Sequence, residues 1–302
     1  MSKIEKILVV IDAEEDFTQA SDGLPIELRK ALRLVADKET TEITLLSVSY
    51  EKYLHHSYHS IGYDYMVMRQ KYLSGMRDKM QSIVDVVSEQ GFQVTSDVVW
   101  AHPRYEQIVN KAKEIKADIV VQHCRAHAKI EHYHLTNDSW QLVRHCPIPL
   151  LLVKDEDWPE KPVLLAAVDP VHSHHKPLRL DYRIIDLAST ARQQLGADLH
   201  IVHAFAESAR PFAVAGAIEE EHRKAFDELV GDYDFPPESL HFLDETPIDA
   251  LAHFGEKIGS NIVVMGAISR SRLSDALIGN TAENVLDYIK TDLLIIKPAV
   301  PA

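Results

Sequence analysis

Ile119-Val120-Val121 and Ile262-Val263-Val264 are the stretches on which the fold turns. Each is a short continuous apolar run, which reads as a strand covered on both faces and so as part of a parallel sheet between helices. Sliding residues 101–154 onto 244–297 superposes the two runs without a gap. Ile115 then falls on Ile258, Asn137 on Asn280, Leu150-Leu151 on Leu293-Leu294 and Lys154 on Lys297. Only 8 of the 54 positions are identical, so the gapless register and the matched apolar spans, rather than identity, identify a duplicated domain.

Working outward, the first half offers strands at Ile7–Ile11, Ile43–Val48, Val94–Val99 and Leu150–Val153, with helical stretches between them. In one of these, Tyr105, Ile108, Ala112 and Ile115 recur at the three- or four-residue spacing of a buried helix face. Val163–Val168 and Leu199–His203 repeat the first and second strands in the second half. Strands alternating with helices predict βαβ units in an α/β sandwich. Between the halves, Lys154-Asp155-Glu156-Asp157-Trp158-Pro159-Glu160-Lys161-Pro162 is charged and carries two prolines, and it reads as a short linker. The expected domains are 1–154 and 162–302, packed together as an internal pseudo-dimer.

Composition narrows the function classes. The chain has 302 residues, enough for two domains at roughly 150 residues each. With 32 Lys and Arg against 46 Asp and Glu, the formal charge is −14, a field that repels nucleic acid and anionic lipid. No apolar run approaches the ~20 residues needed to cross a bilayer. Met1–Lys6 leads straight into an apolar stretch without signal-peptide architecture, so a cytoplasmic protein is expected. Neither nucleic acid nor membrane is an expected partner.

In an open parallel sheet, ligands bind beyond the carboxyl ends of the strands. The candidates are therefore Asp12 and Asp169 after the first strand of each half, and His123-Cys124 and Gly266 after the fourth. The second half has the informative loop, running from Gly266 through Ser269, Arg270 and Arg272 to Gly279-Asn280-Thr281-Ala282-Glu283. In one reading, Gly266 lets the backbone approach a ligand, and Gly279-Asn280-Thr281 opens a helix whose amides face a phosphate. In the other, both glycines are turn residues, Asn280 or Thr281 is an N-cap, and the arginines are solvated.

The spacing of this loop resembles that of the universal stress proteins, which carry a glycine, two residues, a glycine, nine residues, then glycine followed by serine or threonine. Here Ser269 stands for the second glycine and Asn280 for the hydroxyl residue. The tandem layout and the Gly279–Glu283 run resemble the E-type members. Val98-Val99-Trp100, Asp138-Ser139-Trp140 and Cys146-Pro147 match as well. The resemblance implies a five-stranded parallel sheet per domain, in strand order 3-2-1-4-5, in a cytoplasmic stress-response protein. It also implies a site for ATP or another phosphate-bearing ligand at Asp169, Gly266, Ser269, Gly279, Asn280 and Thr281. A Cβ at Ser269 penalises positive φ, whereas Asn280 still offers an amide donor. The first half has His123, Ala126 and Thr136-Asn137-Asp138 at the corresponding places, with no glycine and with a carboxylate at the helix start. It is expected not to bind nucleotide. Family members commonly dimerise through the last strand of the sheet. Here Leu150–Val153 and Leu293–Ile296 can pair within one chain, and a further dimer of tandem chains stays open.

The sequence holds 17 histidines in clusters: His55, His56 and His59; His123, His127, His132 and His134 near Cys124; and His172, His174 and His175. Cys124 with His127 has a spacing suited to zinc, which gives an alternative reading as a metal-responsive regulator. Cys124 and Cys146 fall at opposite ends of their strands, too far apart for a disulfide. No serine elbow, Walker loop, dinucleotide fingerprint or zinc-protease helix occurs, so a binding protein without catalytic residues is expected.

Overall fold

The computed structural model describes residues 3–12, 23–50, 63–124, 137–171, 179–206, 216–267 and 289–298. These fall into two compact units, Ile4–His123 and, with the extreme N-terminus, Cys124–Ala302.

The first unit holds β1 (Lys6–Val10), α1 (Ile26–Arg33), β2 (Glu42–Ser49), α2 (Tyr63–Glu89), β3 (Gln93–Trp100), α3 (Arg104–Glu114) and β4 (Ile119–His123). Its strands are parallel, in the order β3-β2-β1-β4. Ile7, Leu8 and Val9 are all fully buried, as are Val120 and Val121, because helices cover both faces of the central strands. The expected helix face is present in α3, where Ile108 and Ala112 are fully buried and Ile115 is the C-cap.

The second unit holds α4 (Asn137–His145), β5 (Leu150–Val153), β6 (Val163–Ala167), α5 (Leu180–Leu195), β7 (Asp198–Ala204), α6 (Ala217–Val230), β8 (Leu240–Leu243), β9 (Ile262–Gly266) and β10 (Asp292–Ile296). An irregular helical segment precedes β9, with a π-helical turn at Ala250–Phe254. The strands of the second repeat are parallel, in the order β8-β7-β6-β9-β10. The α/β sandwich class with strand order 3-2-1-4-5 therefore holds. On the far side of β10, β5 pairs antiparallel, with Leu151 opposite Leu294. That pairing is why the last strand of the first repeat belongs to the second compact unit.

The charged stretch from Lys154 to Pro162 is not a free tether. Lys154 and Trp158 are buried, while Asp155, Glu156 and Asp157 point to solvent. The Lys154 amide donates to Asp292 Oδ1 and the Trp158 indole donates to Asp292 Oδ2, each at 2.7 Å. A buried carboxylate at the start of β10 thus holds the connection in place; of the charges that suggested a short linker, Lys154 is buried and the others face solvent.

Candidate functional site

The carboxyl ends of β6 and β9 bring Asp169 and Gly266 to one edge of the second sheet, since β6 pairs directly with β9. Asp169 follows β6 and is half-buried; its amide donates to Asp181 Oδ1 at 3.0 Å. Asp181 is fully buried in the first turn of α5, where the positive end of the helix favours a carboxylate. The main chain before Asp169 is fixed as well, because the Val168 amide donates to the Val202 carbonyl at 3.0 Å.

Gly266 does not adopt positive φ, so its requirement is spatial. A Cβ there would stand 2.8 Å from Leu180 Cδ2 and 3.3 Å from Ile184 Cδ1. The close approach that the missing side chain permits is made by α5, which seats its first turn on the strand end. Leu180 and Asp181 are neighbours, so the glycine that admits α5 also sets the position of the carboxylate holding Asp169.

Lys297 follows β10 on the same edge. The Arg183 side chain donates to its carbonyl. Burial pushes the Lys297 amine down to about 8, and the Cys146 thiol acts in the opposite direction. Its counterpart Lys154 is fully buried, whereas Lys297 is half-buried, and the Lys154 Nζ lies 3.7 Å from Cys124 Sγ. Ser269, Gly279, Asn280 and Thr281, with Arg270 and Arg272, lie outside the described residues.

Cys124 follows β4, and its amide donates to the Val153 carbonyl at 2.8 Å. Burial pushes its thiol up, against the lowering effect of the Lys154 ammonium. Neither cysteine forms a disulfide. His127, His132 and His134 lie outside the described residues, as do His55, His56, His59, His172, His174 and His175. Among the described residues no group of three or more His, Cys, Asp or Glu side chains is placed to hold a metal, so the zinc reading gains no support there.

Two constellations escaped the sequence reading. At the carboxyl ends of β2 and β3, Tyr50 stacks on His102 at 4.8 Å between ring centres, and Tyr72 from α2 meets Trp100 edge-on at 5.6 Å. In the second repeat, His203 Nε2 lies 2.7 Å from His222 Nδ1, directly behind the strand end that leads to Asp169. The available signal was periodicity, since His203 shares the buried face of its strand with Leu199 and Ile201.

The sequence model of the Universal stress protein family matches residues 3–154 and 165–297. The chain is 27% identical to "Universal stress protein E" of Salmonella typhi, over 99% of this chain and 96% of the relative. It is 26% identical to the Escherichia coli (strain K12) protein of the same name, over 99% of this chain and 95% of the relative. Among solved structures, a putative universal stress protein from Pseudomonas aeruginosa superposes with a TM-score of 0.72 at 25% identity, covering 98% of this chain and 94% of the other. One from Archaeoglobus fulgidus superposes with a TM-score of 0.65 at 16% identity, covering 98% and 99%. Among the described residues no helix is long and apolar enough to cross a membrane.

Proposed function

The chain belongs to the universal stress protein family, and on that premise we propose that its second repeat binds a small phosphate-bearing ligand of the ATP type and acts in the cytoplasmic stress response by binding rather than by turnover. The observation that carries this reading is the meeting of Asp169 and Gly266 at adjacent strand ends, beside the start of α5. A ribose or phosphate group above that edge would find a fixed main chain at Asp169 and the loop from Ser269 to Thr281 for its anionic end. The first repeat, with His123 in place of the glycine and Asp138 at the helix start, serves as a structural partner. The domain limits 1–154 and 162–302 follow from the repeat, and the β5–β10 pairing favours a single chain in which the two last strands satisfy each other.

Thermal shift with ATP, ADP and inorganic phosphate tests the reading. ATP raises the melting temperature of the wild type, and Gly279→Asp and Asp169→Ala each abolish the rise while leaving the unliganded melting temperature near that of the wild type. An unchanged melting temperature with all three ligands, confirmed by calorimetry, overturns it.

A further inference from the structure

The second repeat buries two imidazoles against each other. His203 on β7 is 1% exposed and His222 on α6 is 6% exposed. Their rings meet edge to edge, with centres 5.0 Å apart and planes 17° apart. His203 Nδ1 lies 3.0 Å from the Val168 carbonyl, and His203 Nε2 lies 2.7 Å from His222 Nδ1. Phe226 from α6 and Phe242 from β8 close around His203 at 5.9 and 5.7 Å.

These contacts fix the protons. A carbonyl oxygen only accepts, so His203 Nδ1 must carry hydrogen. If His203 is neutral its Nε2 is then bare, and His222 must donate from Nδ1. A first added proton leaves this bond intact, because the resulting cation still has one hydrogen between the two facing nitrogens. A second would set two N–H groups against each other across 2.7 Å, and the rings would have to part. One ring belongs to β7 and the other to α6, so parting them lifts α6 from the sheet.

The charges around the pair come from several elements. Asp169 at the end of β6 and Asp181 on α5 favour the cation, while His222 itself opposes a charge on His203. On α6, Arg223 pairs with Glu219 and lies over the Phe242 ring at 4.2 Å. From β8 the group facing His203 is the apolar Phe242. Burial dominates and pushes His203 below the usual imidazole range.

We propose that His203 and His222 form an acid-operated latch that holds α6 against β7 while the pair carries at most one added proton and releases α6 when a second is taken up. The latch needs no ligand and so goes beyond the binding reading. In the unfolded chain an imidazole takes up a proton at about 6.5, whereas burial holds the folded His203 below that range. The stability it contributes is therefore present above that value and is lost as pH falls through the lower folded value.

The test uses the full chain between about pH 7.5 and about pH 5. His222→Phe keeps an aromatic ring on α6 at this position and removes the titrating group. Its melting temperature starts below that of the wild type and the gap closes as the solution is acidified. Histidine ¹⁵N spectra of the wild type show both rings as Nδ1–H tautomers at the upper pH, with uptake of no more than one proton by the two rings before hydrogen exchange in α6 accelerates. Two rings titrating independently near the ordinary imidazole value overturn the latch, and so does a melting-temperature gap that stays constant across the range. Should His222→Phe fail to fold, the wild-type spectra decide alone.

Discussion

Gly266 links packing to the site through one missing methyl group. Its neighbour Leu180 is 1% exposed, so a Cβ at 2.8 Å from Leu180 Cδ2 and 3.3 Å from Ile184 Cδ1 pushes on two packed side chains and through them on the first turn of α5. Overpacking of this kind costs about 1–3 kcal/mol. The displaced turn carries Asp181, whose carboxylate accepts the Asp169 amide. Gly266→Ala is therefore expected to lower stability by about 1–3 kcal/mol in urea denaturation and to speed hydrogen exchange at the Asp169 amide. A variant that matches the wild type in both measurements would show that α5 adjusts freely, and the glycine would then owe nothing to helix packing.

Among the elements, the segment between the repeats shows what a buried carboxylate does for chain geometry. Asp292 is 2% exposed and accepts from the Lys154 amide and the Trp158 indole, while its own amide donates to the Asn261 carbonyl. Removing its side chain strands two donors in a buried setting, at about 1–3 kcal/mol for each group left unsatisfied. Asp292→Ala should accordingly shift the urea midpoint well below that of the wild type and raise Trp158 fluorescence quenching by acrylamide. Asp292→Asn, which retains an acceptor, should lose less, and equal losses in the two variants would refute the hydrogen-bond account. This anchor was not legible in the sequence, where Lys154–Pro162 showed only its charges and prolines. The strands were legible where burial on both faces makes them continuous, as in Ile119-Val120-Val121 and Leu150–Val153. The third strand of the second repeat, β8, was missed because it has only four residues, each half-buried at a sheet edge, and so shows no continuous apolar run. At the site, Asp169 and Gly266 could be placed from strand ends alone. Leu180, Asp181 and the pairing of His203 with His222 could not, because those contacts arise from where α5 and α6 dock; the spacing of Leu199, Ile201 and His203 marks a buried histidine but not its partner.

For the molecule as a whole, duplication changes the fate of the last strand of the sheet. β10 is buried along its whole length, with β9 parallel on one side and β5 antiparallel on the other. A strand so apolar becomes a template for association once its partner is taken away. In the intact chain that partner arrives covalently attached, through a connection that Asp292 pins to the base of β10. A fragment of residues 162–302 lacks β5 and exposes the backbone groups and apolar side chains of β10 together. It is expected to self-associate through this edge, two β10 strands pairing antiparallel as β5 and β10 do. Light scattering coupled to size exclusion should report a dimer whose dissociation depends on concentration, and Leu294→Lys should shift the fragment toward monomer, since Leu294 sits opposite Leu151 in the native pairing. A fragment that is folded and monomeric at every accessible concentration would mean that the β10 edge needs no cover, and that the β5 pairing contributes little to holding this unit together.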